Sequence, residues 1–141
     1  VVERAVRWSR EACILTKGFF RLGHPTDTRE TIEETIRFAR KLALHDVSVN
    51  ILTPLPGSQI YEVANQYGKF DNDWRKMNLL NVVFVPYGLT REELEGYYGR
   101  FLKEFYLRPR IITSYLKRIA SNPRYSGRYL RGLGAFVRTA F

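Results

Sequence analysis

Apolar or small residues at Val2, Ala5, Val6, Ser9, Ala12 and Cys13 recur at helical spacing, and residues 14–22 then turn mostly apolar before Gly23. The pattern predicts a helix followed by a strand. Asp27, with Glu30 three residues on, is placed to cap a second helix whose apolar face is Ile32, Ile36, Ala39, Leu42 and Ala43. Val47, Val49 and Ile51 alternate with Ser48 and Asn50, a period of two that predicts a strand, and Thr53-Pro54-Leu55-Pro56-Gly57 ends it. Ser58 and Gly68 bracket a short helix, residues 70–74 read as a loop, and the β-branched residues 81–85 before Pro86 predict a third strand.

The last third is helical. Thr90-Arg91-Glu92-Glu93 is a capping box, and Leu94, Tyr97, Tyr98, Phe101, Leu102, Phe105 and Tyr106 follow on one face. Pro109 suits the first turn of a further helix with Ile111, Ile112, Tyr115, Leu116 and Ile119 facing inward, stopped by Asn122-Pro123. From Tyr125 onward another helix is allowed, weakened by Gly127, Gly132 and Gly134. Strands joined by helices make parallel sheets covered on both faces, and two or three parallel strands leave edges that normally pair with more. An α/β chain of this kind is expected to be an excerpt of a larger barrel or sheet, as is a chain that begins Val1-Val2.

Composition sharpens this picture. With 141 residues, 45% hydrophobic and 14% aromatic, the chain has material for one folded core. No run reaches the ~18 apolar residues of a membrane span and none has the order of a signal peptide, so a cytoplasmic location is expected. The single cysteine, Cys13, excludes an internal disulfide and any multi-thiolate metal site built by this chain alone, and its neighbours predict a small buried hydrophobe. The net charge of +9 lies entirely beyond residue 99, where ten Lys or Arg face the single acid Glu104. Such asymmetry suits an anionic partner or an acidic surface elsewhere.

Ligands of parallel α/β folds bind at the carboxyl ends of the strands. The segments leaving the predicted strands are Leu22-Gly23-His24-Pro25-Thr26-Asp27 and Thr53-Pro54-Leu55-Pro56-Gly57. Glycine lets a ligand approach the main chain and proline fixes the loop, and ordinary turn chemistry explains the same composition. His24, at a strand end, is a candidate general base or metal ligand, with no second ligand at metal spacing; His45 ends a helix. No phosphate loop, nucleophilic serine motif or metal-spaced histidine pair is present.

Residues 18–36, in which Gly23-His24-Pro25-Thr26-Asp27-Thr28 follows a strand, resemble the late barrel strand and helix of radical S-adenosylmethionine (SAM) enzymes, where a strand runs into Gly-x-Pro-Gly-Glu-Thr. About twenty residues on, Asn50-Ile51-Leu52-Thr53-Pro54-Leu55-Pro56-Gly57-Ser58-Gln59-Ile60-Tyr61 resembles that family's next strand with its Thr-Pro-x-Pro-Gly-Thr-x-x-Tyr ending. Residues 2–110 together look most like the cobalamin-associated branch, which includes the anaerobic magnesium-protoporphyrin monomethyl ester oxidative cyclases and many methyltransferases. Thr26-Asp27 stands where the family usually has Gly-Glu, His24 where a leucine is common, and the motif Cys-x-x-x-Cys-x-x-Cys is absent.

The resemblance implies a C-terminal fragment of a partial TIM-type (β/α) barrel over residues 1–88, followed by a basic helical extension over residues 89–141. It implies a parent that uses SAM and a 4Fe-4S cluster, with cobalamin possible, and a small-molecule substrate. The rest of the barrel and a cobalamin domain would precede this chain, which alone would be inactive. Leu22, Gly23, His24, Thr53, Pro54 and Leu55 would line the SAM and substrate side. Asn50 would add a hydrogen bond if it faces the interior, a structural asparagine being the alternative. The competing expectation is a basic, Tyr-rich module that binds nucleic acid through Arg108, Arg110, Lys117, Arg118, Arg124, Arg128 and Arg131, and a second is a helix over residues 129–141 that docks on an anionic membrane surface or a partner.

Overall fold

Alternating and helical apolar patterns meet in one small parallel sheet. The computed structural model describes residues 1–121 and Gly127. Helix α1 (Val2–Glu11) leads into strand β1 (Lys17–Leu22), helix α2 (Arg29–Lys41) and strand β2 (Asp46–Ile51). Helix α3 (Gln59–Tyr67) and the short strands β3 (Gly68–Phe70) and β4 (Phe84–Pro86) follow, then helices α4 (Arg91–Tyr106) and α5 (Pro109–Ser121).

β1 and β2 are parallel, in register from Lys17 opposite Asp46 to Leu22 opposite Ile51, with α2 as the crossover. One face of this pair carries Phe20, Leu22, Val47, Val49 and Ile51. They share a core with Ile32, Ile36 and Ala39 of α2 and with Leu94, Phe101, Leu102 and Phe105 of α4. The opposite face is uncovered: Lys17, Phe19 and Arg21 are exposed, and Ser48 and Asn50 are half-buried. This asymmetry positions everything that follows. Side chains alternate along a strand, so every residue that does not face the helices faces the open side.

Capping boxes start α2 and α4, Thr28 with Thr31 and Thr90 with Glu93. Ion pairs then join the two helices, Arg29 to Glu93 at 2.7 Å, Arg40 to Glu104 at 2.9 Å and Arg100 to Glu33, and Arg100 also pairs with Glu104 within α4. A second, smaller core gathers Leu52, Ala64 and Phe84 with Ile60 and Phe70 beneath the antiparallel pair β3–β4.

Several expectations need correction. The predicted strand over residues 14–22 starts only at Lys17, because Cys13 takes a left-handed turn (φ 58°) that closes α1 and leaves Ile14 and Leu15 exposed. Cys13 itself is exposed, not core. α1 buries none of its residues, so its end has no interior to enter. The cap of α2 is Thr28 rather than Asp27, whose carboxylate instead accepts from the His24 amide at 2.9 Å. The third strand forms only over Phe84–Pro86 and runs antiparallel to β3, a strand not foreseen in the segment read as turn and loop.

Its expected place beside β2 is taken by residues 78–80, since the Ile51 amide donates to the Leu79 carbonyl at 2.9 Å. Two parallel strands make no closed barrel among the described residues. On α5 only Ile111 is buried, while Ile112 and Leu116 are 43% and 60% exposed. The predicted stop at Asn122-Pro123 and the helix from Tyr125 lie outside the described residues.

Candidate functional site

The two segments that leave β1 and β2 lie side by side, because the Leu52 amide donates to the Leu22 carbonyl at 2.8 Å. Gly23 is buried and turns the chain with φ 81°, in a region that L side chains rarely adopt. His24 is exposed. Its Nδ1 lies 3.0 Å from Thr26 Oγ1, and Asp27 N donates to its carbonyl at 2.8 Å, so residues 24–27 form a closed, hydrogen-bonded turn. At the second exit, Thr53 is buried and its hydroxyl donates to the Asn78 carbonyl at 2.9 Å. Pro54 is fully buried, Leu55 is 47% exposed, and Ser58 Oγ donates back to the Leu55 carbonyl at 2.6 Å.

These contacts sort the predicted residues. Leu22 is fully buried in the helix-facing core, which leaves only its main chain at the exit. Gly23, Thr53 and Pro54 are buried, whereas His24 and Leu55 have exposed side chains. Asn50 lies on the uncovered face, directly opposite Arg21 in the register, and its side-chain amide has no partner among the described residues. Arg21 and Phe19 share that face and were not singled out from sequence. The same period-two alternation that places Asn50 there would have found them.

Metal chemistry has no ligand set here: among the described residues no three His, Cys, Asp or Glu side chains cluster. Cys13 precedes β1, at the amino end of the sheet and away from the exits. A separate cavity of about 380 Å³ lies on the helix side of β2, lined by Ile51, Lys76, Val82, Val83, Arg91 and Tyr98. Burial pushes the Tyr98 phenol above its ordinary range.

His45 has a structural use. Its Nδ1 accepts from the Thr16 amide at 3.1 Å while its own amide donates to the Thr16 carbonyl at 3.0 Å. Burial first, then the cations Arg118, Arg110 and Arg10, hold its pKa below the ordinary histidine range. Of the basic residues named in the tail, Arg108 donates to the carbonyls of Phe105 and Arg40, and Arg110 to that of Leu44. Arg118 lies over Tyr115. Arg124, Arg128 and Arg131 lie outside the described residues. No helix among the described residues is long and apolar enough to cross a membrane.

The fold and the exits define a class: a parallel α/β unit whose Gly- and Pro-rich loops leave the carboxyl ends of two adjacent strands. Comparison with known proteins is specific. The chain is 32% identical over 110 residues to an uncharacterized methyltransferase of Pyrococcus horikoshii, an alignment that covers 77% of this chain and 24% of that protein. It is 32% identical over 108 residues to the anaerobic magnesium-protoporphyrin IX monomethyl ester cyclase of Cereibacter sphaeroides, covering 75% and 17%. A bacteriochlorophyllide d C-8(2)-methyltransferase of Chlorobaculum tepidum is 33% identical over 75 residues, covering 52% and 17%.

No family model matches the chain. The similarity agrees with the resemblance carried by residues 18–36 and 50–61: the chain is similar to part of proteins of the anaerobic cyclase and methyltransferase kind. It spans about a quarter or less of the length of these relatives.

Proposed function

We propose that this chain is the late part of a partial (β/α) barrel in a radical SAM enzyme of the oxidative cyclase or methyltransferase type, and that the open face of β1–β2 is part of the barrel's inner wall. Residues 1–88 would supply the barrel segment and residues 89–141 a basic helical extension laid against it. The observation that carries this reading is the pair of Gly- and Pro-rich exits held together at the carboxyl ends of two parallel strands, with helices confined to the opposite face.

The chain's own residues fit one of the implied cofactors and not another. A 4Fe-4S cluster needs several thiolates. Cys13 is the sole cysteine of the sequence and lies at the wrong end of the sheet, so this chain would not hold the cluster. SAM is different: on the open face Asn50 offers a half-buried amide with no partner among the described residues. Asn50, Gly23 and Thr53 would hold the adenosine side, while His24, Leu55 and the main chain at Leu22 and Pro54 border it. When bound, SAM supplies a 5′-deoxyadenosyl radical or a methyl group. Cobalamin, the cluster and the remaining strands would belong to parts of the enzyme that precede this chain, and a small-molecule substrate would enter from the open face.

The reading frame upstream of Val1 and calorimetric titration of SAM into the complete enzyme test this together. A Cys-x-x-x-Cys-x-x-Cys motif upstream and SAM binding weakened about tenfold by Asn50→Ala, the worth of one well-placed hydrogen bond, are expected. A frame without the cysteines, or a protein that does not bind SAM, overturns the proposal.

A further inference from the structure

At the amino end of the sheet, opposite the Gly- and Pro-rich exits, three arginines from two helices converge. Thr16 and His45 stand just before β1 and β2 and are joined by hydrogen bonds through the Thr16 amide and carbonyl. Arg110, in the first turn of α5, donates to the Leu44 carbonyl at 2.8 Å. Arg118, in the last turn of α5, lies over the Tyr115 ring, whose hydroxyl donates to Asp46 at 3.4 Å. Arg10 is in the last turn of α1, the helix that leads into Thr16. After burial, these guanidinium groups are what lower the His45 pKa, in the order Arg118, Arg110 and Arg10, and Arg10 adds to burial in lowering that of Arg110.

The acids next to these groups in sequence are already engaged. Asp46 is held by Lys17 at 3.3 Å, by the Tyr106 hydroxyl and by the Val47 amide, and Glu11 reaches Arg7. The guanidinium groups of Arg10 and Arg118 have no hydrogen-bond or ion-pair partner among the described residues, and Arg118 Nη2 is shut off from solvent. A buried donor of a charged group with nothing to receive its proton is costly, and like charges gathered without a counter-ion repel. His45 adds a fourth donor. Its Nδ1 accepts from the Thr16 amide, so the proton of the neutral ring sits on Nε2, which has no partner among the described residues.

We infer that Arg10, Arg110, Arg118 and His45 form an oxyanion site that takes a phosphate dianion, free or as a phosphomonoester. Guanidinium groups from α1 and α5 and an imidazole N–H from the lead into β2 supply donors from three elements. That suits a group with three terminal oxygens and two charges better than a carboxylate with two oxygens and one. The site shares no residue with the exits at the other end of the sheet, and it is independent of the barrel reading.

Calorimetric titration of the complete protein with inorganic phosphate, methyl phosphate and dimethyl phosphate, at constant ionic strength, tests this. Inorganic phosphate and methyl phosphate are expected to bind, the tighter of the two showing whether the site is built for free phosphate or for an ester. Dimethyl phosphate, a monoanion, should bind about tenfold more weakly. Arg118→Gln and Arg10→Gln should each weaken phosphate about tenfold, the worth of one charge-assisted hydrogen bond. Arg37→Gln, an exposed arginine on α2, should leave it unchanged. Thermal unfolding separates a binding role from a structural one. Without phosphate, Arg118→Gln should raise the midpoint, because it relieves repulsion among unpaired cations. Phosphate should raise the midpoint of the wild type and not that of the variant. No phosphate binding, binding that survives both substitutions, equal binding of dimethyl phosphate, or an Arg118→Gln midpoint that falls equally with and without phosphate overturns the inference.

Discussion

Two glycines in this chain are required for different reasons, and substitution separates them. At Gly68 the backbone is extended, but an added Cβ would lie 2.1 Å from the Val85 carbonyl oxygen, so any side chain must push β3 away from β4. At Gly23 a Cβ would meet only the Leu94 methyls, at 3.6 and 3.7 Å, so the cost is conformational, about 1–2 kcal/mol for a left-handed backbone. Urea unfolding should therefore rank Gly68→Ala as more damaging than Gly23→Ala, and the reverse order would show that the β3–β4 hairpin is not held as described. His45 makes a second prediction at this scale. Its pKa is lowered in the folded chain, so its contribution to stability is complete above the unfolded value of about 6.5 and is lost as pH falls through the folded value. Protonation removes the acceptor for the Thr16 amide. The urea midpoint should fall between pH 7.5 and pH 5.5, and His45→Asn, which keeps an acceptor that does not titrate, should flatten that interval.

Helix α4 is held in place in two ways, by packing on the sheet and by ion pairs to α2, and their magnitudes differ. Phe101 is fully buried and packs against Phe20 with ring centroids 5.1 Å apart. Arg100, its neighbour in sequence, reaches Glu33 and Glu104 from a side chain that is 45% exposed. Solvent screens such pairs to about 0–1 kcal/mol, whereas emptying a buried phenylalanine site costs about 3–5 kcal/mol. Thermal unfolding should register Phe101→Ala strongly and Arg100→Ala weakly, and Arg100→Ala alone should lose its effect in high salt. Comparable losses from the two would mean that the ion-pair ladder between α2 and α4, not the core, holds the helix. The capping box that starts α4 was legible from the Thr90-to-Glu93 spacing, whereas that of α2 was read as Asp27 with Glu30 and is Thr28 with Thr31. Asp27 had the right chemistry for a cap, but its carboxylate closes the turn of His24 instead.

Across the whole molecule, stability is expected to be uneven. The main core joins β1, β2, α2, α4 and Ile111, while the smaller core rests on three-residue strands and the loop between them, where Trp74, Leu79 and Leu80 are 75%, 50% and 63% exposed. Hydrogen exchange should be slowest for the amides of β2 and much faster over residues 74–81, because opening that loop uncovers little apolar surface. Uniform protection would show one cooperative unit instead. The pattern of alternation determined, without any structure, that Val47, Val49 and Ile51 face a core and that Asn50 faces away, since a pleated strand permits no other arrangement. Helical periodicity likewise determined the buried edges of α2 and α4, and two loop motifs pointed to the family. Tertiary structure alone decided which neighbour each edge receives: Leu79 rather than a third strand beside β2, β3 rather than the sheet beside β4, and solvent rather than a core around Cys13. Strand pairing joins residues far apart in the chain, and the choice among partners turns on hydrogen bonds and packing that no local pattern encodes. For the same reason only the register shows that Arg21 stands opposite Asn50.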